Sequence, residues 1–186
     1  MSNAPLPASV DAFRLFEQGA ERKGQLSLAS MERLMTMLSG PEGHASAELG
    51  FAFDDRKHRI VTGTVRAQVQ MQCQRCLGIM TVSLESEFRA AVVSSDDLAR
   101  SLPSELEPVV VPEGQIDLLT LVEDELILAL PEFPMHGEHQ CPAAPVISAL
   151  NAEANAAIEA ENADAEETNP FRVLAGLKGH LDDGER

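Results

Sequence analysis

The chain contains no tryptophan and no tyrosine, and its only aromatic side chains are seven phenylalanines in 186 residues. So sparse a set does not support a base-stacking platform of the kind that sheet-borne aromatics build. Cysteine is also scarce. Three is an odd count, and two of the three lie in one Cys-x-x-Cys pair, too close for a useful structural bridge. That pattern suits a reducing cytosol better than an exported disulfide scaffold. No stretch approaches the roughly 20 apolar residues of a membrane helix. The opening residues 1–7 lack the basic and apolar regions of a signal peptide, so the expected location is cytoplasmic, with no membrane span. A nucleophile motif, a phosphate loop and a cofactor fingerprint are missing as well.

Basic residues are few: 14 Lys and Arg against 30 Asp and Glu, for a net charge of −16. The imbalance is uneven, since residues 1–80 sum to +1 and residues 81–186 to −17. A chain this acidic is repelled by nucleic acid at long range, so any direct RNA contact falls to the first half. Arg56, Lys57, Arg59, Arg66 and Arg75 are the candidates, and a solvated strand face is the alternative reading of them.

What is present is a pair of Cys/His clusters about sixty residues apart, Cys73-Gln74-Arg75-Cys76 and His136-Gly137-Glu138-His139-Gln140-Cys141. Two thiols separated by two residues grip one tetrahedral ion, and a distant His and Cys complete its shell. The metal reading assigns Cys73, Cys76, His136 and Cys141 to a structural zinc, with His139 as the alternative fourth ligand. A closed shell of this kind has no room for a catalytic water. The competing reading is ordinary reduced thiols and surface histidines. A redox role fits less well, because the pair has no βαβ context and does not open a helix.

Residues 8–28 read as short extended pieces. Ser30 is a plausible N-cap for a short helix carrying Met31, Leu34, Met35 and Leu38, ended by Gly40-Pro41. From Val61 to Cys73 apolar or small residues hold the odd positions and polar ones the even, and the alternation resumes from Met80 to Phe88. A period of two sustained this long places one strand face on a core and the other in water, with the Cys-x-x-Cys pair at the tip between two strands. Asp96–Leu102 reads as a short helix and Val109–Val111 as a buried strand. Residues 117–130 read as an apolar helix capped by Asp117 and stopped by Pro131, which must pack on something large. It carries Glu123, Asp124 and Glu125. Adjacent helical positions diverge, so the three do not converge as a catalytic pair; they read as a solvated acidic face that can meet a basic partner. Residues 146–168 read as a flexible acidic linker, with a marginal helix as the alternative. Beyond it Asn169-Pro170-Phe171-Arg172-Val173-Leu174 turns apolar again, and Phe171 and Leu174 are candidates for docking, in cis or on a partner.

Taken together, several segments resemble the YceD-type proteins, described as large ribosomal RNA subunit accumulation proteins. The resemblance rests on Cys73-Gln74-Arg75-Cys76-Leu77 after a long alternating strand, and on Leu102-Pro103 and Glu107-Pro108 ahead of Ile116-Asp117-Leu118-Leu119. It extends through Val122-Glu123-Asp124-Glu125-Leu126, then Pro134, His136 and Cys141, to Asn169-Pro170-Phe171-Arg172-Val173-Leu174. It covers most of the chain from about residue 60 onward. The resemblance implies a cytoplasmic, non-enzymatic factor supporting the synthesis, processing or stability of large-subunit ribosomal RNA, and it supplies no catalytic residue. Some relatives have a cysteine-rich second cluster, where this chain has His136 and Cys141.

The expected architecture is α+β. A twisted, mostly antiparallel, barrel-like sheet over about residues 20–112 packs against one long apolar helix at 117–130. Residues 1–145 form the domain, 146–168 the acidic linker, and 169–186 the C-terminal motif with a short helix. Two functions stand beside each other. One is a ribosome-assembly factor whose partners are the large-subunit RNA precursor or assembly proteins. The other is an adaptor that regulates a cytosolic enzyme, for example one of fatty-acid or phospholipid synthesis.

Overall fold

A computed structural model describes residues 4–137 and 140–165. The chain divides into two compact units, Met1–His136 and Gly137–Arg186. The first opens with β1 (Ser9–Asp11), α1 (Ala12–Gln18) and β2 (Glu21–Ser27). A single 3-10 turn (Leu28–Ser30) then leads to α2 (Glu32–Met35) and the long strands β3 (His44–Phe53), β4 (Arg59–Gln72) and β5 (Ile79–Val93). After these come α3 (Asp96–Arg100), β6 (Glu107–Val110), β7 (Gln115–Asp117) and α4 (Leu118–Leu128).

The α+β class holds, and three details differ from the sequence reading. The sheet is not closed into a barrel. Its five strands run β2-β3-β4-β5-β6, leaving β2 and β6 as separate edges, while β1 and β7 form a ribbon of their own. The sheet is mixed, because β6 returns parallel to β5 after α3. The single long apolar helix is replaced by α4, whose eleven residues make only about three turns. Asp117 caps it as expected, accepting the Thr120 N–H at 2.9 Å. Two of its buried residues are glutamates, so its inner stripe is not uniformly apolar.

The alternation of β4 does what a period of two requires. Val61, Val65, Ala67, Val69 and Met71 are buried, while the residues between them face outward or lie half-exposed. Ala45, Ala47, Leu49 and Phe51 of β3 extend the same inner face. Leu15 and Phe16 of α1 and Leu118, Val122 and Leu126 of α4 join the same core. Phe16 meets Phe51 nearly edge-on, with centroids 5.5 Å apart, and each such ring buries about 1.5–3 kcal/mol of side chain. Gly63 interrupts the apolar series for a steric reason. A Cβ there would collide with the ring of Phe88, its partner on β5, and with Leu49 Cδ2.

α1 lies where short extended pieces were expected. Asp11 caps it through the Arg14 N–H, and Gly19 ends it in the left-handed region at φ 54°. Ser30 does not cap α2; its hydroxyl donates instead to the Ser27 carbonyl.

In the second unit, α5 (Ala144–Ala165) is a helix where a flexible linker was expected. Its alanine-rich composition has the highest helix propensity of any residue type, and no side chain from Ala144 to Glu159 is buried. Phe171, Leu174 and the short C-terminal helix expected around them lie outside the described residues, as does His139.

Candidate functional site

The Cys-x-x-Cys turn joins the ends of the two longest strands. The Cys73 N–H donates to the Gly78 carbonyl at 2.9 Å and the Leu77 N–H to the Cys73 carbonyl at 2.8 Å. Leu77 sits in the left-handed region at φ 59°. The segment after α4 is tied along this turn. The Gln74 N–H donates to the Pro134 carbonyl at 2.9 Å, and Arg75 reaches Met135 Sδ at 3.8 Å. These bonds bring His136 to the thiols. Its Nδ1 lies 3.4 Å from Cys76 Sγ, and its N–H donates to Cys73 Sγ, also at 3.4 Å.

Cys73 Sγ receives a second N–H, from Arg75 at 3.4 Å. Burial opposes ionisation of this thiol, but the N–H groups of Cys76, His136 and Arg75 and the His136 ring outweigh it and bring its pKa down to about 5. The thiolate is the form that binds a metal, and such N–H···S bonds are what orients it. The ligand atoms of Cys73, Cys76 and His136 lie within 4.8 Å of one another. Around a tetrahedral zinc, ligand atoms stand roughly 3.5–3.8 Å apart, so these three residues fit with shifts of a few tenths of an ångström to about 1 Å. With Cys141, a buried thiol five positions beyond His136, they make up a Cys₃His set of the composition that can bind a metal ion.

The three carboxylates of α4 do not form the solvated face that their sequence suggests. Glu123 is only 6 % exposed and turns inward to α2. Its Oε1 accepts the N–H groups of Arg33 and Leu34 at 2.8 and 3.0 Å, and its Oε2 accepts Nε and Nη2 of the Arg33 guanidinium at 2.9 and 2.7 Å. Burial pushes this carboxyl upward, but the Leu34 and Arg33 bonds prevail and hold it below the usual carboxylate range. Asp124 stays at the surface and pairs with Arg33 Nη1 at 2.6 Å. Glu125, 9 % exposed, accepts the Ser86 hydroxyl at 2.7 Å.

The five basic candidates fall in three places. Arg56 and Lys57 are exposed on the β3–β4 turn. Asp54 shapes that turn by accepting the N–H groups of Arg56 and His58. Arg59 follows, with its guanidinium 4.8 Å from the Phe13 ring centroid and 5.8 Å from that of Phe53. Arg66, midway along β4, is held by Glu85 Oε1 at 2.6 and 3.0 Å. Arg75 stands at the cysteine turn. A strand of fourteen residues spans roughly 40 Å, so the two ends of this set do not share one patch. The Phe13–Arg59–Phe53 stack was not read from the sequence. Only the alternation of β3 and β4 hints at it, and Phe13 comes from α1, whose residues read in sequence as extended.

Among the described residues no helix is long and apolar enough to cross a membrane. The family model described as "Large ribosomal RNA subunit accumulation protein YceD" matches residues 61–178. A curated protein of that name from Haemophilus influenzae is 35% identical over 182 residues, which cover 96% of this chain and 99% of the relative. No solved structure matches.

Proposed function

The chain belongs to the YceD family of large ribosomal RNA subunit accumulation proteins, and from that membership we propose that it is a non-enzymatic cytoplasmic factor supporting the synthesis, processing or stability of large-subunit ribosomal RNA. The observation that carries this reading is the alignment with a relative so named over nearly the full length of both proteins. The net charge of −16 favours action through basic assembly proteins over broad contact with RNA. Any direct RNA contact would be made by Arg56, Lys57 and Arg59, which share one end of the sheet.

In this reading the Cys₃His set is a structural zinc site with Cys73, Cys76, His136 and Cys141 as ligands. A closed shell of four protein ligands supplies no catalytic water and serves to hold the turn between β4 and β5. The apolar Phe171 and Leu174 and the half-exposed Asp124 are partner contacts.

The test is affinity purification of the tagged protein from growing cells, with RNA sequencing and mass spectrometry on one eluate. Large-subunit precursor RNA together with assembly proteins is the expected recovery. A single stoichiometric non-ribosomal enzyme without RNA would overturn the reading in favour of an enzyme adaptor.

A further inference from the structure

The edge strand β6 and the helix α4 enclose a groove of about 380 Å³. Val109, Ile116 and Leu121 contribute apolar surface to it, and Leu128 and Val110 stand at its lip, 73 % and 39 % exposed. Glu107, Asp117, Asp124 and Glu125 also line it, and among the described residues no lysine, arginine or histidine does. Three of these carboxylates have work in the fold: Asp117 caps α4, Asp124 meets Arg33 from outside the groove, and Glu125 accepts the Ser86 hydroxyl. Glu107 is exposed and forms no ion pair among the described residues, and Glu125 keeps a nearly buried carboxylate beside the apolar floor.

We infer that this groove binds a short, extended, basic peptide segment of a partner protein. The apolar floor takes an aliphatic side chain, and the carboxylate rim takes the lysines or arginines on either side of it. β6 is an edge of the sheet, so one side of its backbone has no strand partner. The Val111 N–H donates inward to the Val93 carbonyl at 2.7 Å, and strand alternation therefore turns the N–H and C=O of Val110 to the open side. An added strand gains main-chain bonds there. Pro108 has no N–H to offer, which keeps the pairing short and leaves selectivity to the side chains. The same rim repels nucleic acid. The inference rests on the protein-partner half of the proposed function and names the chemistry of that partner.

The experiment measures fluorescence anisotropy of a labelled lysine–valine hexapeptide with alternating residues on the full chain, beside the same peptide with glutamate for lysine. Wild type binds the basic peptide and not the acidic one. Glu107→Lys weakens binding about tenfold, because it reverses a charge at the rim. Glu17→Lys makes the same change in net charge on the exposed side of α1 and shifts affinity less than about twofold. Leu128→Ser, at an exposed position that does not endanger folding, weakens binding about threefold. Equal effects of Glu107→Lys and Glu17→Lys would reduce the attraction to diffuse charge and overturn the inference, as would no binding at all. Sedimentation with large-subunit precursor particles is followed in parallel. Particle association without peptide binding overturns the groove and leaves the proposed function standing. Peptide binding without particle association supports the groove and rejects the ribosomal reading.

Discussion

Glu123 supplies from α4 the cap that Arg33 and its neighbour lack on α2, ninety residues earlier in the chain. One oxygen takes the two N–H groups at the start of α2, and the other takes the Arg33 guanidinium. Helix starts leave N–H groups without intrahelical partners, and α2 has no side-chain cap of its own. A tertiary contact therefore does what Ser30 was expected to do locally.

Replacing Glu123 with Ala should lower stability by about 2–4 kcal/mol, because buried N–H groups lose an ionised acceptor. The E123Q variant keeps an oxygen and should fall between. The pH dependence has a defined sign. The folded-state pKa of Glu123 is depressed, so its contribution is complete above the ordinary glutamate value of 4.5 and is lost as pH falls through the lower folded value. Urea denaturation across this acid range should show a shallower loss for E123Q than for wild type. A cost below about 0.5 kcal/mol for E123A would contradict the capping role.

The burial of Glu123 shows where legibility from sequence ends. Three consecutive acidic residues read as a wet surface, and only Arg33, far away in the chain, turns one of them inward. Local periodicity carried further. The odd–even pattern of residues 61–73 gave strand, buried face and the position of the cysteine turn, because a period of two is a property of each strand alone. The Asp117 cap was visible for the same reason. Closure of the sheet was not, since it depends on where β6 returns, and a parallel return after α3 leaves an edge that no local pattern marks. α1 carries local signals of its own: Asp11 as N-cap, Ala12, Leu15 and Phe16 at helical spacing, and Gly19 as C-cap. In α5 alanine propensity outweighs acidic character, and the helical alternative for these residues is the one its secondary structure follows.

Zinc removal is the second test. A metal held at a thousandfold excess over its Kd stabilises by about 4 kcal/mol. At about 2–4 °C per kcal/mol for a chain of this size, chelation should lower Tm by about 8–16 °C. Cys76→Ser should abolish stoichiometric metal in elemental analysis and reproduce the chelated Tm. Metal-free protein from a chelator-free purification, with a Tm indifferent to EDTA, would remove zinc from the account.

Gly63 and Phe88 should behave as a coupled pair. Gly63→Ala forces the Phe88 ring aside and should cost about 1–3 kcal/mol, as overpacking does. In Phe88→Ala the ring is gone and only Leu49 Cδ2 stands in the way, so adding Gly63→Ala should cost less than it does alone. A double-mutant cycle with no coupling would show that the sheet relaxes around the added methyl group without involving the ring.

RNA contact, if made through the β3–β4 turn, distinguishes among the basic residues. Arg56 and Lys57 are exposed and unpaired with carboxylates at side-chain level among the described residues, and a R56E/K57E chain should lose large-subunit RNA from the affinity eluate while retaining its Tm. Its residual binding should also show a salt slope reduced by about one unit for each lost phosphate contact. Arg66 is already held by Glu85, with Glu48 and Glu87 close enough to add to its charge stabilisation, so R66E should leave RNA recovery nearly unchanged. A loss from R66E about half that from R56E/K57E, in proportion to the charge each reverses, would assign the effect to net charge. Retention of RNA by R56E/K57E would move recognition wholly to a protein partner, the outcome that the acidity of the chain already favours.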